Sequence, residues 1–185
     1  TDETSDIAKI ILLQVRLPRI LLGFLVGCSL ASVGVALQAL LRNPLADPYV
    51  LGVSSGAALG AAVGILFGVG TTFLAETALP ACGFAGGLVA LVVIYRMAAT
   101  YGQLPIQSLL LTGVILNAIF SALIMFITTI LEPNRSYGMM AWLMGTLTAP
   151  TYGSLVALII YLSIGLFLLF RNMRVLNILA LGEES

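Results

Sequence analysis

The chain has 185 residues, of which 60% are hydrophobic and 9% charged, and its formal net charge is zero. Soluble domains run at roughly 45–50% apolar and about 25% charged, so this composition excludes water as the main solvent, and the neutral balance offers no basic surface for nucleic acid. There is no histidine, and Cys28 and Cys82 each lie inside an apolar run. The sequence therefore presents no metal-ligand cluster, no acid–base pair and no nucleophile–base arrangement, and the two cysteines read as small apolar packing residues.

Residues 1–15 form a polar lead-in that turns amphipathic at Ile7, Ile10, Ile11 and Val15, the pattern of a short helix lying at a membrane interface. Asp2, Glu3 and Asp6 stand where a signal peptide would be positive, so the chain is expected to begin within a longer protein. Residues 17–41 contain one charge, Arg19. A helix of that length rises about 37 Å, enough to cross a hydrocarbon core of roughly 30 Å with some tilt.

Residues 42–48 make a tight polar connection, because Pro44 and Pro48 deny helix continuation. A second span is expected over residues 49–73, carrying Gly52, Gly56, Gly60, Gly64 and Gly68 at four-residue spacing. Four residues turn a helix by about 400°, so this ladder drifts roughly 40° per step and is expected to pack against more than one neighbour. Glu76 and Pro80 mark the next turn, and a third span covers residues 81–99 with Arg96 placed to snorkel. After a loop at residues 100–107, a fourth span covers residues 108–131 and contains Asn117. Residues 137–147 are too short to cross and read as an interfacial or re-entrant helix with Tyr137 and Trp142 as belt aromatics. The last span covers residues 151–170 and is closed by Arg171 and Arg174. The expected fold is thus an all-α, polytopic membrane protein with five crossings, no strand, and its two ends on opposite sides.

Charge does not decide which side is which. One side would hold Lys9, Arg16, Arg19 and Arg135 and the other Arg42, Arg96, Arg171 and Arg174, a tie under the positive-inside rule.

A series of motifs points to a family. Arg16-Leu17-Pro18-Arg19 is followed by Gln38-Ala39-Leu40-Leu41, Asn43-Pro44-Leu45-Ala46-Asp47-Pro48 and Leu51-Gly52-Val53-Ser54-Ser55-Gly56-Ala57. Further on come Leu109-Leu110-Leu111-Thr112-Gly113, Trp142-Leu143-Met144-Gly145 and Asn177-Ile178-Leu179-Ala180-Leu181-Gly182-Glu183. This ordered series resembles the permease subunit of ABC importers for iron-siderophores, haem and cobalamin, and it covers nearly the whole chain. The resemblance implies one membrane domain over residues 1–185, matching about the second to sixth of some ten spans. Residues 1–15 would form an external lead-in and residues 176–185 the start of a cytoplasmic segment that couples to the ATPase. It implies partners as well: a second permease subunit in a homodimer or pseudo-dimer, cytoplasmic ABC ATPases, an extracytoplasmic substrate-binding protein and the bilayer of a bacterial or archaeal inner membrane. No cofactor and no enzymatic activity of the permease itself are implied.

Candidate residues follow from these two sources. Arg16 and Arg19 share a helix face at the membrane boundary; interfacial anchoring is one reading, and docking of acidic groups of the binding protein is the one the resemblance implies. Gln38 and Asn117 are polar groups within spans that should each find an interhelical partner, with lining of the substrate path as the alternative for Asn117. Leu104, Pro105, Ile106 and Gln107 resemble the family's inner gate by position, although they depart from the small hydroxyl residues of the cobalamin importer, and an ordinary turn is the other reading. Asn177, Leu179, Ala180, Leu181, Gly182 and Glu183 belong by resemblance to the coupling segment. A non-transporting structural or receptor-type membrane protein is the alternative function.

Overall fold

The computed structural model describes residues 2–69, 75–99, 104–148 and 150–181. Among them there is no strand, and the chain divides into two compact units, one formed by residues 1–46 and 146–185, the other by residues 47–145.

In the first unit, α1 (Asp2–Ile10) continues through a π-helical stretch, Ile11–Arg16, into α2 (Leu17–Leu41). The lead-in therefore does not form a separate short helix, because no residue between Ile10 and Leu17 breaks the chain. Pro18 is the only candidate breaker, and its ring and missing N–H conflict with the carbonyl four residues earlier. The wide π turn just before it makes room for that conflict, and Pro18 is fully buried. α2 closes at Arg42, which adopts a left-handed conformation (φ 49°, ψ 36°). Its N–H donates to the Ala39 carbonyl at 3.3 Å, and the Asn43 N–H donates to the Gln38 carbonyl at 3.1 Å, the paired closure of a Schellman motif. α7 (Tyr152–Arg171) starts at Thr151, whose hydroxyl oxygen accepts from the Ser154 N–H at 3.3 Å. α8 (Met173–Leu181) follows after one residue, Asn172, whose side-chain Nδ2 donates to the Leu168 carbonyl at 2.8 Å. α2 packs against α7 and α8.

In the second unit a 3-10 turn, Pro48–Leu51, leads into α3 (Val53–Leu66), then α4 (Ala75–Ala98), α5 (Ile106–Ile130) and α6 (Pro133–Met144). The Asp47 carboxylate starts the turn by accepting from the Tyr49 N–H at 2.8 Å. Two apolar clusters hold this unit together: Ala62, Ile65, Ile127 and Met139, and Ala90, Ile94 and Leu116.

Among the described residues, four helical stretches are long and apolar enough to cross a membrane: Asp6–Leu41, Ala78–Ala98, Ile106–Ile130 and Tyr152–Arg171. The second expected span is shorter than its apolar run. α3 has 14 residues, a rise of about 21 Å, because Gly52 (φ 76°) and Gly68 (φ 82°) take left-handed conformations at either end. Two other boundaries move. Pro80, expected at a turn, lies inside α4. The short helix after α5 begins at Pro133 instead of residue 137, since proline's fixed φ suits a first helical position.

Candidate functional site

The second unit is built on close approaches of backbone. A Cβ added at Gly56 would lie 2.2 Å from the Ala90 Cβ, one at Gly60 would lie 2.4 Å from the Cys82 carbonyl oxygen, and one at Gly64 would lie 3.0 Å from the Cys82 Sγ. All three glycines thus face α4, so within α3 the ladder keeps one neighbour. The row of residues four apart is inclined to its own helix axis, and a partner lying along that row meets every rung. α4 supplies a matching row, Cys82, Gly86 and Ala90. Gly52 faces α5 instead: a Cβ there would sit 3.1 Å from the Gly113 carbonyl, and one at Gly113 would sit 2.6 Å from the Val50 carbonyl. The 3-10 turn therefore rests on α5 at the one residue that leaves space for it. Gly68 lies beyond the end of α3.

That seating opens a cleft of about 430 Å³ among α3, α5 and α6. Ser54 and Ser55 line it from α3, Asn117 and Ser121 from α5, with Tyr49 and Trp142 at its walls. Ser55 returns its hydroxyl hydrogen to the Gly52 carbonyl at 2.9 Å. Asn117, Ser54 and Ser121 make no side-chain hydrogen bond among the described residues, so Asn117 does not find the interhelical partner expected for it. The cleft offers these three as directional groups beside Tyr49 and Trp142.

Leu104, Pro105, Ile106 and Gln107 lie elsewhere. Pro105 is the N-cap of α5 and its carbonyl accepts from the Leu109 N–H at 3.0 Å. Ten residues of helix separate Gln107 from Asn117, about 15 Å along α5. Residues 100–103 fall outside the described residues.

In the first unit, Arg16 ends the π-helical stretch and Arg19 stands in the first turn of α2, both exposed. Neither makes an ion pair or side-chain hydrogen bond among the described residues. Lys9, by contrast, pairs with Asp6 on its own helix at 3.2 Å. The Tyr152 hydroxyl donates to the Leu13 carbonyl, fastening the π-helical stretch to the start of α7.

At the other end of α2, Gln38 also differs from expectation. Its partner is the following loop, not another helix: Nε2 donates to the Pro44 carbonyl at 3.0 Å. The Asn43 Oδ1 accepts from the Leu45 N–H at 2.9 Å, so the polar residues of this loop satisfy its own backbone. Asn177, Leu179 and Ala180 lie on α8, Leu179 half-buried and the other two exposed. The Leu179 carbonyl accepts from Arg42 Nε at 2.8 Å. Leu181 ends α8, while Gly182 and Glu183 lie outside the described residues. An apolar groove of about 370 Å³ runs between α2 and the α7–α8 pair, with Ala36, Ala39, Phe170 and Asn177 among its lining.

Sequence reasoning missed the Arg42, Tyr152 and serine contributions. The small residues of α4 carried a readable signal, since Cys82, Gly86 and Ala90 repeat at the same interval as the glycines of α3.

The chain is 36% identical over 184 residues to a probable iron chelatin transport system permease protein of Helicobacter pylori, with 100% of this chain and 54% of that protein covered. It is 37% identical over 181 residues to a cobalamin import system permease protein of Halobacterium salinarum, covering 97% and 47%. It is 34% identical over 185 residues to a molybdate import system permease protein of Haemophilus influenzae, covering 99% and 53%. A solved structure described as an inward-facing conformation of a metal-chelate type ABC transporter superposes with a TM-score of 0.82 at 30% identity, over 97% of this chain and 56% of that one. The chain thus spans about half the length of the curated relatives it matches. Apolar helices of spanning length together with this kinship make it part of a multi-pass membrane protein. The model of the FecCD transport family matches residues 1–185, and the chain belongs to that family.

Proposed function

We propose that this chain is part of the permease subunit of a binding-protein-dependent ABC importer that carries an iron chelate, haem or cobalamin across the cytoplasmic membrane. The observation that carries the reading is the unbroken match of all 185 residues to a transport family whose relatives are permeases. No observation favours the receptor-type alternative. Residues 1–15 would face outward within a single membrane domain, and residues 176–185 would begin the segment that seats in the ATPase. Arg16 and Arg19 would receive acidic groups of the substrate-binding protein, and a second permease subunit would complete the passage. The permease contributes no covalent chemistry. It alternates between outward and inward openings as the ATPases close and part, and the cleft at Asn117, Ser54 and Ser121 would line the cargo's way.

Removing the full-length gene tests this in cells. Growth on a ferric chelate, haem or cobalamin as the sole source of the nutrient should fail and return with the gene on a plasmid. Undiminished uptake of all three, and of molybdate, in the deletion strain would contradict the reading.

A further inference from the structure

Arg42 occupies a position that its backbone does not favour. A left-handed residue closing a helix is usually glycine, which meets no Cβ penalty there, yet here φ is 49° on an arginine. Two backbone hydrogen bonds, from Arg42 to Ala39 and from Asn43 to Gln38, hold this turn, and the Gln38 side chain fixes the loop beyond it at Pro44. The base of the arginine is therefore set before its side chain reaches anything. From that base Nε donates to the Leu179 carbonyl in the last described turn of α8, at 2.8 Å, across 137 positions of sequence. A cationic donor at the carbonyl end of a helix is favoured by the partial negative charge there, and its hydrogen bond is stronger than a neutral one.

Besides packing on α2, α8 is attached through Asn172, the single residue that joins it to α7. Asn172 has non-helical angles (φ −97°, ψ 6°), so α8 is not a rigid continuation of α7 and its direction depends on what holds it to α2. Leu179 lies seven residues beyond it, about 10 Å along the helix, and a second attachment at that distance fixes the direction of α8 against α2. A snorkelling anchor needs only a cation at the interface and sets no direction.

We propose that Arg42 is a positioning residue for energy coupling: it clasps α8 to the end of α2, so that displacement of α8 by the ATPase is passed to α2. This rests on the reading of α8 as the coupling helix. Without the clasp only apolar packing joins α8 to α2, α8 slips along it, and ATP hydrolysis proceeds without moving α2.

The test uses the full-length permease assembled with its ATPase and binding protein in vesicles, measuring uptake and ATP hydrolysis together. Arg42→Gly removes the clasp while suiting the left-handed backbone, so the fold is kept. We expect uptake per ATP to fall about tenfold or more, with the melting temperature and binding-protein association at wild-type values. Arg42→Lys keeps the charge without the fixed guanidinium geometry and should recover only part of the ratio. The double variant Leu181→Asp with Glu183→Lys serves as the uncoupled reference. If the reference uncouples and Arg42→Gly retains the wild-type ratio, the clasp proposal is overturned and the coupling helix stands. If neither uncouples, the coupling reading fails and the proposal with it. A lowered melting temperature with an unchanged ratio would make Arg42 a structural cap and also overturn the proposal.

Discussion

At the scale of single residues, position in the backbone decides more than residue type. Gly60 and Gly165 look alike in the sequence, each inside an apolar helix. A Cβ at Gly60 meets the Cys82 carbonyl at 2.4 Å and the Gly86 Cα at 2.8 Å, whereas one at Gly165 meets nothing within 4 Å. Backbone cannot swing aside as a side chain does, so Gly60→Ala should destabilise by about 1–3 kcal/mol through forced separation of α3 and α4. Gly165→Ala should be neutral or stabilising by up to about 1 kcal/mol through helix propensity. Thermal unfolding of the two variants in detergent distinguishes them, and equal melting temperatures would contradict the seam. The arginines make the second residue-scale prediction. Arg16 and Arg19 are exposed and unpaired within the described residues, and a charge pair gains value only when a partner surface desolvates it. Arg16→Glu or Arg19→Glu should weaken binding-protein association about tenfold or more, with strong salt dependence, and lysine should restore it in part. Association unchanged by the glutamates at low and high salt would make both residues membrane anchors.

At the scale of elements, the apolar runs were legible because hydrocarbon imposes their length, and the prolines and polar loops mark their ends. α5 and α7 fall within a residue or two of the expected spans. What spacing could not show was conformation. Gly52 and Gly68 continue the four-residue interval, yet both have positive φ, so the ladder has three rungs inside α3 and two residues at its ends. The missing break before residue 17 was illegible for a related reason: a π turn leaves no mark in composition, and only the buried Pro18 hints that the helix must widen before it. The α3–α4 seam can be checked covalently. A Cβ at residue 64 would lie 3.2 Å from the Cys82 Cβ, a few tenths short of the usual range of about 3.5–4.5 Å in disulfides. Gly64→Cys should therefore cross-link to Cys82 on mild oxidation, read as one disulfide-linked peptide pair by mass spectrometry. Two free thiols under conditions that oxidise a model dithiol would count against the packing.

At the scale of the whole molecule, family and fold were legible from ordered motifs, each short and weak alone. The site was less so. Asn117 stood out as a polar residue inside a span, but the serines around it are ordinary in small-residue helices, and only the seating of Pro48–Leu51 on Gly113 gathers them at one cleft. The central claim is directional transport driven by a separate ATPase, and uptake into sealed vesicles tests it most directly. Full-length permease reconstituted with its ATPase inside and the loaded binding protein outside should accumulate the ligand only when ATP is present in the lumen, and only when the binding protein is supplied. Accumulation that ignores ATP, or none with any of ferric chelate, haem, cobalamin or molybdate while the ATPase is active, would contradict the account.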